Sequence, residues 1–221
     1  MNTFIITSTV NATYGLVDNE TRYQQTLETI QSIRDKVPDA KIVLVDSSTE
    51  QFDNEKFKEL KTKTDLFITL FNHYSAVEFN QNQQKSAGEC YIMTIALMAI
   101  SEMGLVGNRV FKISGRYKLS DSFDIREYDN PELEGKYVFK RRVQSWMNRE
   151  TSLVDTRLWS FSGSLLQETK DMLPKVMDIV LGGTFDLEHA YFQKLDLNNL
   201  VEFDKMHLEG QIASDGRIQY D

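Results

Sequence analysis

Cysteine and proline are scarce in this chain of 221 residues, which has one cysteine and three prolines. The single Cys90 excludes an intramolecular disulfide, so a reducing compartment is the expected setting. Cys90 lies in an apolar segment, where a core residue is the better interpretation than a nucleophile. With few prolines and no Gly/Ser-rich linker, one domain over residues 1–221 is the simplest prediction.

A membrane-spanning run and an excess of positive charge are also missing. The longest apolar run, residues 90–100, is too short to cross a bilayer. The N-terminal segment has no basic region typical of a signal peptide. We therefore expect a soluble, cytoplasmic protein with no membrane anchor. The net charge of −8 argues against a nucleic-acid partner, because neutralising phosphates requires a basic face.

Several familiar catalytic motifs do not occur. No Walker-type loop and no G-x-G-x-x-G is found, which disfavours ATPases and dinucleotide oxidoreductases. The G-x-S-x-G elbow and the H-E-x-x-H motif are missing too, so hydrolase and zinc-enzyme functions are poor interpretations.

What is present in the first half is a regular alternation of strand-like and helix-like segments. Strands are predicted at 3–9, 41–45, 66–71 and around Lys112, separated by helices near 19–36, 54–62 and 84–103, with 72–84 as a polar connection. This alternation predicts an α/β fold with a mostly parallel sheet and helices on both faces.

The second half has a different pattern. Strands are predicted at 137–142 and 157–162, and a helix after Gly163 should kink or restart at Pro174. A further helix is predicted at 186–194. The tail, residues 201–221, is polar, and the pattern leaves open whether it is an ordered arm or a mobile lid.

Polar residues follow three of the strands where each strand ends. They are Ser8 and Thr9 after the first, Asp46 after the second, and Ser114, Gly115 and Arg116 after the fourth. Ligands of open α/β sheets collect outside the carboxyl ends of strands, so these residues are predicted to form one site. Gly115 permits close approach of a ligand, and the Arg116 guanidinium matches a phosphate or carboxylate. Alternatively, Asp46 only caps its strand or the next helix.

A second candidate group lies at the start of the long apolar helix, in residues 83–89. Lys85 and the small residues after it suit a phosphate, because the free N–H groups and the dipole of a helix N-terminus favour an anion. Glu89 alternatively caps this helix or pairs with Lys85.

A third group surrounds the start of the late helix. Gly182 and Gly183 permit close approach of a substrate, and Asp186 suits the N-cap, leaving Glu188 or His189 to face a site. One general base is enough to deprotonate a sugar hydroxyl. The alternative is that Asp186 caps the helix and Glu188 is solvated.

Two weaker signals complete the set. The basic run 140–142 beside Trp146 suits a diphosphate or a sugar face, although a solvated charge run on an edge strand is the simpler interpretation. His207 is isolated, and no spacing identifies a partner for metal binding.

In their order, these motifs resemble those of the GT-A glycosyltransferases, which are Rossmann-like enzymes that use nucleotide sugars, over roughly residues 3–210. The resemblance implies that Ser8, Thr9 and Asp46 hold the nucleotide and that Lys85 assists. The family's Asp-x-Asp, which carries a divalent metal, is replaced by residues 114–116. The string KISGRY, residues 112–117, looks like one in bacterial and viral polysaccharide-type transferases.

The resemblance extends to the second half. Gly182-Gly183 and the acidic pair Asp186 and Glu188 look like the family's late glycine-rich turn and acidic motif, and His207 is similar to its late metal-ligating histidine. The resemblance implies a nucleotide-binding half at about residues 1–125. The acceptor-binding half and the C-terminal tail would then occupy about residues 126–221. Mn²⁺ or Mg²⁺ is implied as a cofactor. Metal independence is the alternative, with Arg116 neutralising the diphosphate, or Asp121 or Asp124 replacing the missing motif.

The expected function is therefore transfer of a sugar from a nucleotide-diphosphate-sugar donor to a hydroxyl of a saccharide or other acceptor. Lys85 and Arg116 would stabilise the departing diphosphate, and Glu188 or Asp186 would activate the acceptor. One alternative is a sugar-phosphate nucleotidyltransferase, although the segment 9–15 has a single glycine and no basic residue. The other is a catalytically degenerate protein that binds a nucleotide or glycan.

Overall fold

The computed structural model describes residues 1–13, 15–82, 84–147, 149–211 and 218–221 of the chain. The helices are α1 (Asn19–Lys36), α2 (Asn54–Lys63), α3 (Tyr74–Gln81), α4 (Lys85–Glu102), α5 (Leu166–Leu181) and α6 (Leu187–Lys194). The strands are β1 (Asn2–Ser8), β2 (Lys41–Asp46), β3 (Leu66–Thr69), β4 (Arg109–Ser114), β5 (Tyr117–Leu119), β6 (Tyr137–Lys140), β7 (Val143–Gln144), β8 (Ser152–Leu153), β9 (Leu158–Ser162), β10 (Leu200–Phe203), β11 (Leu208–Gln211) and β12 (Ile218–Tyr220).

Seven strands form a central sheet in the order β10-β6-β9-β4-β1-β2-β3. β1 is parallel to both β2 and β4, β2 is parallel to β3, and β6 is parallel to β10. Only β9 runs against its neighbours β4 and β6. The sheet is thus mostly parallel, as the alternating pattern predicts.

Hydrophobic cores cover both faces of this sheet. Side chains alternate along a strand, so Phe4 and Ile6 of β1 pack with Ile33 of α1, whereas Ile5 packs with Met93 of α4 on the other face. Burial on both faces explains why the parallel strands are almost continuously apolar. The expectation of helices on both faces is therefore confirmed.

Helix α1 is tied to the segment 115–119 by a row of hydroxyl groups three residues apart. Thr26 Oγ1 donates to Gly115 O at 3.2 Å, Thr29 Oγ1 donates to Tyr117 O at 2.7 Å, and Ser32 Oγ accepts from Leu119 N at 3.1 Å. Spacing of three places the hydroxyls on one helix face. This row fixes the chain after β4 against α1.

Cys90 is a core residue, as its apolar surroundings predict. It is fully buried, and its Sγ donates to the carbonyl of Leu173 in α5. Burial raises the pKa of the thiol to about 12, so it stays protonated at neutral pH.

The structure departs from the predicted elements at two places. The segment 72–84, predicted to be a polar connection, contains helix α3, in which Ala76 is buried against the core. Helix α5 neither stops nor restarts at Pro174. Its apolar face, which includes Met172, Leu173 and Val176, is buried, and this packing outweighs the hydrogen bond that proline cannot make.

The described part of the tail is ordered. β10 forms an edge of the central sheet, and β11 pairs with β5 and β12 in a separate three-stranded antiparallel sheet. Residues 212–217 of the predicted arm or lid lie outside the described residues, as does Gln83. Among the helices described, none is long and apolar enough to cross a membrane.

Candidate functional site

A cleft opens at the carboxyl ends of β1 and β4, beside the first turns of α1 and α4. Its volume is about 830 Å³ with the open mouth included. Its described lining comes from the end of β1 and the following loop, α1, α4 and the turn after β4: Thr7, Ser8, Thr9, Ala12, Arg22, Thr26, Ser47, Lys85, Gly88, Glu89, Ile92, Ser114, Gly115 and Arg116.

The structure brings together most of the residues predicted for the nucleotide site. Ser8, Thr9, Lys85, Ser114, Gly115 and Arg116 all line this cleft. The reason is strand register: Thr7 of β1 lies opposite Ser114 of β4, and the two strands are parallel, so their polar ends meet at the same edge.

The hydroxyl groups of the cleft are held by one another. Thr9 Oγ1 lies 2.6 Å from Ser47 Oγ, and Ser8 Oγ lies 3.1 Å from Thr26 Oγ1. Gly115 packs closely against this group, because a Cβ there would lie 3.2 Å from the Cβ of Ser8. A side chain at position 115 would therefore push against β1 at the floor of the cleft.

Three cationic side chains line the cleft: Arg22, Lys85 and Arg116. Arg22 was not predicted from the sequence. It reaches back from α1, and its guanidinium donates to Val17 O at 3.0 Å and to Thr9 O at 3.3 Å, which holds the loop after β1. Lys85 is the first residue of α4, so it adds its charge to the helix N-terminus. The cleft is locally positive in a protein of net charge −8.

Glu89 is the one carboxylate among the described lining residues, and it makes an ion pair with Lys112. The Lys112 ammonium also donates to Ser114 Oγ at 2.8 Å and to the carbonyl of Thr156 at 2.6 Å. Neither the pair nor the role of Thr156 was predicted. The feature of the sequence that could have indicated this ion pair is a lysine inside an apolar strand, because a buried charge requires a partner.

Asp46 does not line the cleft; it lies fully buried behind it. Its carboxylate accepts from Val10 N at 3.0 Å and from Ser48 N at 2.8 Å, so it joins the loop after β1 to the loop after β2. Burial raises the pKa of Asp46, and its hydrogen bonds oppose that rise. Asp46 thus holds two backbone loops beside the cleft, in keeping with the capping alternative.

Glu188 is near Glu89 but is mostly buried. Its Oε1 accepts from Thr156 Oγ1 at 2.9 Å, and the Thr156 carbonyl accepts from Lys112. Burial is the main cause that raises the pKa of Glu188, and the negative charge of Glu89 adds to the rise. The solvated alternative for Glu188 is therefore wrong.

Asp186 is the N-cap of α6, as predicted, and accepts from His189 N at 3.1 Å. The same carboxylate lies 2.5 Å from His189 Nδ1, and Nε2 of this fully buried histidine lies 2.7 Å from Ser145 Oγ. The contacts from Ser145 through His189 to Asp186 resemble those of a Ser-His-Asp triad. Ser145 is only 2% exposed, however, so a substrate does not reach it. The three residues fasten the β7–β8 hairpin to α6.

Gly182 and Gly183 are not among the lining residues. Gly182 caps the C-terminus of α5, and Gly183 follows with a φ of +72°, which the turn into α6 requires. Both are exposed, so the structure assigns them to the helix end rather than to close approach of a substrate.

The remaining predicted groups lie elsewhere. His207 has a φ of +57°, and its Nδ1 lies 2.8 Å from Ser122 Oγ, outside the cleft lining. The basic run pairs with carboxylates, Lys140 with Asp221, Arg141 with Asp204 and Arg142 with Glu202. The edge-strand interpretation of this run is therefore the better one. Trp146, at the hairpin, is 78% exposed.

The described lining of the cleft is poor in groups that bind divalent metals. Hard cations such as Mg²⁺ take oxygen ligands, mainly carboxylates. The described lining has one carboxylate, already paired with Lys112, beside three cationic side chains. No cluster of three or more His, Cys, Asp or Glu suited to a metal occurs in the described parts of the chain, including around His207, Asp121 and Asp124.

Solved structures share this fold, whereas no protein-family model and no curated protein sequence matches the chain. The galactosyltransferase LgtC, solved with donor and acceptor sugar analogues, matches with a TM-score of 0.57 and 10% identity, over 91% of this chain and 73% of that one. The mannosyltransferase Ktr4p from S. cerevisiae matches with a TM-score of 0.52 and 8% identity, over 92% and 68%.

A putative glucose-1-phosphate thymidylyltransferase from Bacillus anthracis, solved with sucrose, matches with a TM-score of 0.55 and 12% identity, over 95% of this chain and 89% of that one. The chain therefore has the GT-A fold expected from the order of its motifs. At these identities the likeness is one of fold, and function has to be argued from the site.

Proposed function

We propose that this protein is a glycosyltransferase that moves a sugar from a nucleotide-diphosphate-sugar donor to a hydroxyl group of a saccharide or other acceptor. The observation that carries the proposal is the convergence of Arg22, Lys85 and Arg116 on one cleft at the carboxyl ends of β1 and β4. Ligands of open α/β sheets bind at this position, and the cations suit a diphosphate.

The cleft divides into a nucleotide part and a diphosphate part. Ser8, Thr9 and Ser47 offer hydroxyls at one side, suited to hydrogen bonds with a ribose or a base. Lys85, at the N-terminus of α4, and Arg116 provide charge for the diphosphate. Negative charge grows on the diphosphate as its bond to the sugar breaks, so fixed cations there stabilise the transition state.

For the acceptor we propose Glu188 as the general base. Its raised pKa brings the carboxyl closer to the range in which a base is effective at neutral pH. Asp186 acts through the N-cap of α6, which places Glu188. We further propose that the reaction serves polysaccharide synthesis in the cytoplasm, on the strength of the KISGRY string and the single cysteine.

The diphosphate is proposed to bind without a divalent metal. The cationic lining already supplies positive charge, and it would repel Mn²⁺ or Mg²⁺. The proposal of metal-free binding follows from the side chains at positions 114–116. In the GT-A glycosyltransferases that this sequence resembles, this position has a metal-binding motif, whereas this chain has Arg116 there.

A thermal-shift panel tests the proposal directly. UDP, GDP, CDP, TDP and their sugars are each added with manganese and with a chelator, since a ligand of the folded state raises the melting temperature. We expect one diphosphate to shift the melting temperature equally in both conditions. A shift that needs manganese would overturn the metal-free proposal, and no shift with any nucleotide would overturn the transferase proposal.

Product analysis separates the competing functions. Incubation with sugar phosphates and nucleoside triphosphates should release no pyrophosphate, whereas release would indicate the nucleotidyltransferase that the thymidylyltransferase-like fold allows. Tight nucleotide binding without hydrolysis or transfer of the donor sugar would indicate a degenerate binding protein.

Arg116→Ala should lower turnover by about 100-fold or more, the usual effect of removing a group that stabilises transition-state charge. Arg126→Ala is the matched control, because Arg126 has a side chain that is 84% exposed and pairs with Asp124. Steady-state kinetics compares the turnover of the two variants, and their melting temperatures show whether both are folded. Near-normal turnover of a folded Arg116→Ala protein would remove this side chain from the mechanism.

A further inference from the structure

The ion pair between Glu89 and Lys112 lies beneath the cleft in the middle of the sheet. Lys112 is in β4, between Ile5 of β1 and Trp159 of β9 in strand register, and its side chain is 1% exposed. Removing charges from water is costly, and replacing both members of a buried ion pair by well-packed apolar side chains is often neutral or stabilising. The lysine therefore calls for an explanation beyond folding.

All three hydrogens of the Lys112 ammonium have acceptors: Glu89, Ser114 Oγ and the Thr156 carbonyl. These partners come from α4, from the end of β4 and from the segment just before β9. An ammonium group satisfied in this way has a single position. It holds the Oε1 atom of Glu89 at a defined place at the cleft floor.

The rest of the Glu89 carboxylate is turned to the cleft. The side chain is 30% exposed, and Oε2 has no hydrogen-bond partner among the described residues. Glu89 lies one helical turn after Lys85 on the same face of α4, so it sits beside the proposed diphosphate position. A carboxylate repels phosphate oxygens and accepts from hydroxyl groups. Its natural ligand there is the sugar attached to the diphosphate.

Resting on the proposed function, we propose that Glu89 is a catalytic residue that binds the transferred sugar, and that Lys112 is its positioning residue. Oε2 accepts a hydrogen bond from a sugar hydroxyl, and the negative charge stabilises the positive charge that develops on the sugar ring. The bond between the anomeric carbon and the diphosphate oxygen breaks, and the electron pair leaves with the diphosphate. The acceptor oxygen forms the new bond, and its proton passes to Glu188.

The variant Glu89→Gln tests the role of the negative charge, because glutamine has nearly the same shape as glutamate. The amide oxygen still accepts from Lys112, but the negative charge is lost. We expect kcat to fall by about 100-fold, while the affinity for the free nucleoside diphosphate does not fall. The donor's extra affinity over its diphosphate should also disappear, which is measured by calorimetry with the nucleotide sugar that gives the largest thermal shift. Glu102→Gln, an exposed position at the end of the same helix, is the control.

Lys112→Met tests the positioning role. We expect a lower kcat with unchanged affinity for the diphosphate, and a lower melting temperature because Glu89 loses its partner. The double variant Glu89→Gln/Lys112→Met should have a higher melting temperature than Lys112→Met. Its activity should be no lower than that of Glu89→Gln alone. Such non-additivity is expected of residues that act as a unit.

Three failing results can be distinguished from one another. If the wild-type protein binds diphosphates and Glu89→Gln keeps both full turnover and the donor's extra affinity, the role of Glu89 is overturned and the transferase proposal stands. Strictly additive losses of activity from the two substitutions would overturn the positioning role of Lys112. If the wild-type protein binds no nucleotide at all, the proposed function itself has failed.

Discussion

Glu89 and Glu188 are neighbouring carboxylates with different surroundings. Glu89 has the Lys112 ammonium as its partner, whereas Glu188 is mostly buried and accepts hydrogen bonds from the Thr156 hydroxyl and from a backbone N–H. The charges that act on Glu188 are those of Glu89 and Asp186, and both raise its pKa further. Two carboxyl groups whose environments differ in this way suit different roles, one as the partner of a buried ammonium and one as a proton acceptor.

Glu188→Gln should change how stability depends on pH. The raised pKa of Glu188 means that the folded protein binds its proton more tightly than the unfolded chain, whose value is near 4.5. The resulting stabilisation is complete below that value and is lost as pH rises through the folded pKa. Glutamine keeps an acceptor for Thr156 and does not ionise. The free energy of unfolding of the variant should therefore rise relative to wild type as the pH increases above 4.5.

Urea unfolding at several pH values measures this difference, with Glu102→Gln as an exposed control that should show none. Turnover of Glu188→Gln should fall at every pH if Glu188 is the general base. A constant stability difference across this range would show that Glu188 is not desolvated as the structure indicates.

At the scale of elements, the important contact is between α1 and the segment after β4. The hydroxyls of Thr26, Thr29 and Ser32 bind backbone groups of residues 115, 117 and 119. A leucine-rich helix face could pack against the sheet, but it could not satisfy those backbone groups. This row of hydroxyls places Gly115 and Arg116 at the cleft.

Thr29→Val should lower the free energy of unfolding by about 1 kcal/mol, because valine has the same shape but leaves the Tyr117 carbonyl without this donor. Thr62→Val is the control, since the Thr62 hydroxyl binds only within its own exposed helix. Chemical denaturation of both variants gives the comparison. Equal losses would show that the bond to Tyr117 adds nothing.

At the scale of the molecule, an acidic protein holds a cationic cleft. The net charge of −8 disfavours anions over the surface as a whole, while Arg22, Lys85 and Arg116 attract them at one place. Walls of low dielectric strengthen such a local field. Selectivity for an anionic ligand thus depends on side chains that three separate elements bring together.

Binding of the nucleoside diphosphate should weaken with salt. Between about 0.1 M and about 1 M NaCl the Debye length falls from about 10 Å to about 3 Å, and we expect the affinity to fall by roughly tenfold. Arg116→Ala and Lys85→Ala should each make this dependence shallower, as titration calorimetry at several salt concentrations would show. The same slope in all three proteins would contradict a role for these charges.

Much of the fold follows from the sequence because local patterns encode it. The bounds of α1 agree at both ends, since Asp18 caps its start and the apolar face ends at Val37. Asp186 is the N-cap expected of α6. The prediction failed at 72–84, and α5 does not restart at Pro174, because tertiary packing outweighs local composition at both places.

The sequence by itself determined that polar strand ends would meet, because parallel strands place their carboxyl ends at one edge. Ser8, Thr9, Ser114, Gly115 and Arg116 follow from that rule. Only the tertiary structure decided which helix side chains join them. Arg22 and Glu89 enter the cleft because of how α1 and α4 pack on opposite faces of the sheet, and periodicity does not contain that packing. The pair of Lys112 with Glu89 joins residues 23 positions apart, on different elements, and depends on burial that only the folded sheet creates.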